Sequence, residues 1–370
     1  MVIWMSNQQN IASKNDSESS KTQSQSIPRQ HAKHLIFGAG LIGCYLGACF
    51  IKAKQNVTLV LRERFRNQLN ENYSISDYQN HSYKVPTLPA LCDPKELNEQ
   101  ELKADFLWLT VKCIALEDAI VDIQPLINEK TIILCCQNGV KNHLIVQQAF
   151  PHNKVIRVMV PFNVVNDEAG HFHRGSQGHM AIESTPALID TVKWLAGQLS
   201  SQLLPVDISY DMTALQWAKL QLNLGNAVNA LADIPVKDML ETSAYRLLLA
   251  QLMDELLVII RKKQIKLPKI ASLPNKYIPT VLRLPNWAFK LVAQKMLAVD
   301  PQVRTSMWWD LNAHRQTEIE YLNNTVVEQA KRLGIKTPFN TFIVNSVKQA
   351  EAGKRISAET FYAQVKKLLI

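Results

Sequence analysis

A chain of 370 residues is long enough for two domains, because single hydrophobic cores rarely grow past about 250–300 residues. Its composition, 47% hydrophobic and 20% charged, is that of a globular protein and argues against a fibrous or wholly disordered one. The formal charge is +9. Its Lys and Arg residues are nevertheless spread along the chain, and the densest stretch, Arg261–Lys269, reads as a solvated helix end, so nucleic acid is not an expected partner.

The first thirty residues are rich in Ser, Gln and Asn and lack apolar periodicity, which predicts a disordered arm over 1–30. No secretory signal is expected there. The longest apolar run, Leu35–Ile51, is glycine-rich and too short to span a bilayer, so no membrane partner is expected. All six cysteines lie before residue 140, without a CxxC pair or a His/Cys cluster of zinc spacing. That usage predicts a cytoplasmic protein with no structural disulfide and no metal.

From residue 31 to about 208 the pattern alternates strands and helices. "HLIF" reads as a short buried strand, followed at once by Gly38-Ala39-Gly40-Leu41-Ile42-Gly43. A helix from Leu41 to about Lys54 and the strand "NVTLVLR" complete a strand–turn–helix–strand unit. This is the setting a dinucleotide fingerprint needs. The first glycine makes the tight turn, the second lets backbone approach a pyrophosphate, and the third lets helix and strand pack closely. At the end of the second strand an NAD enzyme carries Asp or Glu for the ribose 2′-hydroxyl, whereas this chain has Arg62. A guanidinium pairs with a 2′-phosphate through two hydrogen bonds, so the expected cofactor is NADP(H).

Two further strands follow, "ADFLWLTVK" ending at Lys112 and "TIILCCQNG" ending at Asn138 and Gly139. Ligands of open α/β sheets bind beyond the carboxyl ends of strands, which places Lys112 and Asn138 where cofactor and substrate meet. An Asn before Gly is also a common turn residue. "KVIRVMVPFNVV" reads as one more buried strand, and "HFHRGSQGHMAIE" as a hairpin extending the same sheet.

From residue 209 to 370 the apolar positions recur at three- and four-residue spacing, which predicts an all-α second domain. Within it, "KLQLNLGNAVNAL" (219–231) is unusual. At about 100° per residue Lys219, Asn223, Asn226 and Asn229 share roughly a third of the helix circumference, while Leu220, Leu224, Val228 and Leu231 cluster elsewhere. Asn is a mediocre helix former, so three of them beside one lysine suggest a polar, substrate-facing cleft wall. The alternative is a helix whose Asn side chains bind neighbouring loops. The side of "LLLAQLMDELLVII" suits either a homodimer or core packing.

Taken in order, "GAGLIG" with Arg62, "TVK", "QNG", "HRG" (173–175), "WAKLQLN" and "SMWWDLNAHRQTEIEYLNN" (306–324) resemble the ketopantoate reductase (2-dehydropantoate 2-reductase) family over residues 33–370. The resemblance implies an α/β fold: an N-terminal Rossmann-type doubly wound sheet, then an all-α C-terminal domain. It implies NADPH-dependent reduction of ketopantoate, a 2-keto acid, to pantoate, in pantothenate biosynthesis. By motif position it makes Lys219 the general acid and Glu318 the carboxylate that binds the substrate hydroxyl. It also makes Asn223 and Ser306 substrate ligands, with Lys112, Asn138 and Glu318 beside the nicotinamide. Thr317-x-x-Glu320 has the form of a capping box, which predicts a helix starting at Thr317 with Glu318 in its first turn. Departures from the family pattern are Ala227, with Asn226 one place earlier, Pro161-Phe162-Asn163 after "VIRVMV", and a long stretch over 264–303. Alternative readings are a reductase of another 2-keto acid, or a silent NADP(H)-binding sensor.

Overall fold

The computed structural model describes residues 32–61, 66–69, 72–86, 90–92, 103–269, 273–297 and 302–370, with the side chains of 90–92, 295 and 296 left aside. The predicted arm over 1–30 and Arg62 lie outside the described residues.

An eight-stranded sheet organises the N-terminal half. Its spatial order is Val206–Ser209, Met180–Glu183, Lys154–Met159, Ile132–Cys135, Phe106–Leu109, Lys33–Phe37, Asn56–Val60 and Ala90–Cys92. Every neighbouring pair is parallel except Met180–Glu183 against Lys154–Met159. The central strands are buried on both faces and read as continuous apolar runs, as a parallel sheet covered on both sides demands. Alternate residues enter different cores. Ile36, Leu59, Trp108 and Leu134 pack under the helices Leu41–Lys52 and Ile189–Leu199, whereas Leu35, Leu107, Leu109 and Ile133 pack under Leu116–Ile123 and Asn142–Ala149. Strand order reverses between Lys33–Phe37 and Phe106–Leu109, the switch point at which such sheets open a ligand crevice.

Two expectations for this half are corrected. "KVIRVMVPFNVV" is two strands, Lys154–Met159 and Val164–Glu168, and the second leaves the main sheet. "HFHRGSQGHMAIE" is likewise divided, because His171–Arg174 joins a separate four-stranded sheet while Met180–Glu183 stays in the large one. Pro161, without a backbone N–H, cannot continue the ladder. Gly178, at φ +138°, redirects the chain between the two sheets. The small sheet is anchored by Arg174, which is buried, donates to the Leu203 carbonyl at 3.0 Å and faces buried Asp77 at 3.6 Å. Phe162 packs in the same place, 5.8 Å from Tyr45 and beneath the Arg174 guanidinium at 5.3 Å.

After Ser209 the described chain is helical, with its own core centred on the 20-residue helix Ser243–Lys262. The apolar side of that helix (Leu248, Leu252, Met253, Leu256, Ile259, Ile260) is consumed within the chain, so core packing accounts for it. Phe289 belongs to this core too. The helix Met212–Asn223 joins the two halves. Met212, Leu215 and Ala218 pack on Met159 and Ala181 of the sheet, and Arg157 reaches up to Thr213 and Gln216 at 3.0 and 3.2 Å. Among the described residues no helix is long and apolar enough to cross a membrane.

Candidate active site

The chain leaves Lys33–Phe37 through Gly38, whose φ of +83° is natural only for glycine. The Gly38 and Ala39 N–H groups donate to the Val60 carbonyl at 3.1 and 3.0 Å, which holds the turn against the next strand. Thr110 pins it from the other side, its hydroxyl 3.0 Å from the Phe37 and Gly38 carbonyls. A Cβ on Gly38 would stand 2.3 Å from Val111, and one on Gly43 2.7 Å from the Thr110 hydroxyl. A Cβ on Gly40 would meet nothing nearer than 3.9 Å. Gly38 and Gly43 therefore serve the packing. Gly40 instead leaves open ground before the helix Leu41–Lys52, where a pyrophosphate could approach the amides of Leu41, Ile42 and Gly43. The turn fits a dinucleotide.

Lys219 lies on the joining helix, whose N-cap Asp211 accepts from the Ala214 N–H at 2.9 Å. Its ammonium donates to the Val160 carbonyl at 2.6 Å, just past the end of Lys154–Met159. Burial brings its pKa down to about 8, and the Glu318 carboxylate opposes that fall. Glu318 itself bridges two strand-end loops. One oxygen accepts from the Cys113 N–H at 3.2 Å and the other from the Asn138 amide at 3.0 Å. Asn142 buttresses this arrangement by donating to the Asn138 carbonyl and, at 3.2 Å, to the Cys113 sulfur. The segments "TVK", "QNG" and "TEIEYLN" thus converge beside the lysine.

The capping box is not formed. The Thr317 hydroxyl accepts from Ile319 at 3.2 Å, while Glu320 turns away to Asn324 and Lys348. A short 3₁₀ turn, Ile319–Tyr321, precedes the helix Asn323–Arg332, so Glu318 stands before the turn rather than within a first α-helical turn. Its charge is met by Cys113 and Asn138 instead of a helix dipole.

Lys112 reaches across the molecule. Its ammonium is 2.7 Å from both oxygens of Asp310, a carboxylate only 2% exposed that also lies 3.3 Å from Arg315. Sequence reasoning missed Asp310. The available signal was an acid placed four residues after Ser306 inside the apolar "SMWWDLN".

The asparagine face divides. Asn223 and Asn226 are half-buried, and their side-chain amides make no hydrogen bond among the described residues. Asn229 is fully buried and is not brought to the cleft: its amide donates to the Ile234 carbonyl at 2.6 Å and accepts from the Thr305 N–H and hydroxyl at 3.0 and 3.1 Å. Its surroundings match the loop-binding alternative. Thr305 caps the helix Ser306–Asn312 by accepting from the Trp308 N–H at 3.4 Å, so Asn229 orders the segment that presents the exposed Ser306. Cys44, Cys49, Cys113, Cys135 and Cys136 are free thiols. Among the described residues no three acidic, His or Cys side chains gather as metal ligands.

Residues 34–187 match the family model described as ketopantoate reductase PanE/ApbA, and residues 211–351 match its C-terminal companion. A 2-dehydropantoate 2-reductase of Aquifex aeolicus (strain VF5) is 25% identical over 323 residues, covering 86% of this chain and 97% of that relative. An uncharacterized oxidoreductase, YkpB, of Bacillus subtilis (strain 168) is 23% identical, covering 87% and 100%. Among solved structures, a PanE/ApbA family ketopantoate reductase from Ralstonia eutropha JMP134 superposes with a TM-score of 0.72 at 23% identity, over 88% of this chain and all of that one. D-mandelate dehydrogenase, solved with NADH and anilino(oxo)acetate, gives 0.70 at 21% identity, again over 88% of this chain and all of that one.

Proposed function

This chain is an oxidoreductase of the ketopantoate reductase family, and from that premise we propose that it reduces a branched 2-keto acid, ketopantoate foremost, to the 2-hydroxy acid with NADPH in the cytoplasm. The observation that carries the proposal is Lys219: an ammonium with its pKa lowered to about 8, at a strand end, electrostatically coupled to Glu318.

When bound, the nicotinamide supplies hydride to the keto carbon. Gly38 to Gly43 would hold the pyrophosphate, Lys112 and Asn138 would lie beside the nicotinamide, and Arg62 would take the 2′-phosphate. Negative charge then gathers on the keto oxygen. Lys219 stabilises that charge and delivers the proton that completes the alcohol, leaving a neutral amine to be recharged from solvent. The Val160 carbonyl aims the ammonium, and Glu318 keeps it charged despite its burial. Asn223 and Asn226, with uncommitted amides, and Ser306, exposed at a helix start, are the proposed ligands of carboxylate and hydroxyl. Glu318 would accept from a substrate hydroxyl with its remaining lone pairs. Neutral amides serve this wall well, since a second carboxylate would cancel the lysine.

The test is NADPH oxidation with ketopantoate beside other 2-keto acids. Turnover is expected. Silence with every acid, while NADPH binds, would replace reduction by a sensor role.

A further inference from the structure

Trp309 belongs to the helix that carries Ser306 and Asp310, and the proposed reaction does not use it. It lies on the helix Ser306–Asn312, and at about 100° per residue Ser306, Trp309 and Asp310 share roughly 100° of its circumference. Met307 and Leu311 are buried in the helical core, and Trp308 packs against it. Asp310 meets Lys112 at 2.7 Å and so looks toward the strand-end loops, with Ser306 and Trp309 next to it around the helix. Trp309 is 57% exposed, a large apolar ring left uncovered, and its indole N–H has no acceptor among the described residues. Its neighbour is fixed. The Trp308 indole N–H donates to Asp233, the Arg304 guanidinium lies 4.3 Å over the Trp308 ring, and the two tryptophan rings meet edge to face with centroids 4.7 Å apart. Trp308 is thereby a buttress for Trp309, which presents an exposed aromatic ring on the helix that begins at Ser306. On the other half of the molecule Ile114, two residues beyond Lys112 and 41% exposed, adds apolar surface.

We propose that Trp309 is a specificity-determining residue: it receives the apolar substituent on the carbon next to the keto group, so the site selects 2-keto acids that are branched or aromatic there over small unbranched ones. The assignment rests on the 2-keto-acid reading above. A polar end held by Ser306, Asn223 and Lys219 orients the reacting carbon. An aromatic wall then rewards bulk without demanding one shape, because contact with a ring face is broad and weakly directional.

The experiment compares wild type, Trp309→Ala and Trp309→Phe with ketopantoate, benzoylformate and pyruvate, together with tryptophan-fluorescence titration by mandelate. The wild type should prefer a bulky acid to pyruvate. Trp309→Ala should lower kcat/KM for the bulky acids by about three- to tenfold, through KM, and leave pyruvate nearly unchanged, while Trp309→Phe should retain most of the preference. Mandelate should quench the wild type more than Trp309→Phe. Equal losses for all three acids, or a wild-type preference for pyruvate, would overturn the role of Trp309 and leave reduction standing. So would dissociation of an oligomer by Trp309→Ala, since a second copy would then cover the ring. No turnover with any acid would overturn reduction itself, and this assignment with it.

Discussion

At the residue scale the proposed chemistry turns on Lys219. A lysine acts as an acid only while protonated, and burial has moved its ordinary pKa of 10.5 down to about 8. Activity limited by protonated Lys219 is therefore full below that value and falls as pH rises through it, visible as the alkaline limb of the pH profile of kcat/KM. Because the Glu318 charge holds the lysine up, Glu318→Gln should move that limb to lower pH and raise KM for a hydroxylated keto acid more than for one lacking the hydroxyl. An unmoved limb would mean that Lys219 does not titrate there. Lys219→Ala should lower kcat by about 10²- to 10⁴-fold, with NADPH binding retained in a fluorescence titration.

At the element scale, the turn after the first strand makes opposite predictions for neighbouring glycines. Gly43→Ala pushes a methyl to within 2.7 Å of the Thr110 hydroxyl and should lower the melting temperature. Gly40→Ala meets nothing nearer than 3.9 Å, so the fold should keep its stability while, on the proposed binding mode, NADPH affinity drops as the methyl fills the ground proposed for the phosphates. Differential scanning fluorimetry with and without NADPH separates the two. The helix of Ser306 depends on a cap rather than on length. Thr305→Ala removes both that cap and the hydroxyl bond to Asn229, and should cost about 1 kcal/mol of stability and raise KM.

Over the whole molecule, the site is assembled from two halves held by different forces. An apolar joint seats Met212, Leu215 and Ala218 on the sheet, and polar contacts close the gap: Glu318 to Cys113 and Asn138, and Lys112 to Asp310. Lys112 is half-exposed although Asp310 is buried, and solvent at the ammonium discounts the pair, so we expect it to contribute orientation more than stability. Asp310→Asn should accordingly raise KM for the keto acid several-fold, by about 1 kcal/mol or less, with little change in melting temperature. A large loss of stability would assign the pair to the fold instead.

Much was legible from local pattern. The strand–glycine turn–helix unit and the change from alternating elements to helices each follow from spacing over fewer than about 20 residues, where periodicity and turn chemistry act directly, whereas the single helix read over 219–231 is broken at Leu224 into Met212–Asn223 and Gly225–Ala232. The divided fates of "VIRVMVPFNVV" and "HFHRGSQGHMAIE" were not legible, because both pieces of each are strand-like and the contacts they make in the small sheet, Arg174 with Asp77 among them, join residues far apart in the chain. Nor was the sorting of the asparagines: Asn226 and Asn229 share a helical face, yet Thr305, 76 residues beyond Asn229, draws the latter into the core. Asp310 could be named only after its helix met Lys112, 198 residues earlier. The sequence by itself determined the elements and the chemical repertoire, through short-range sterics and apolar periodicity. The tertiary structure alone decided which of those groups share a site, because contacts between residues far apart in the chain depend on how whole elements pack.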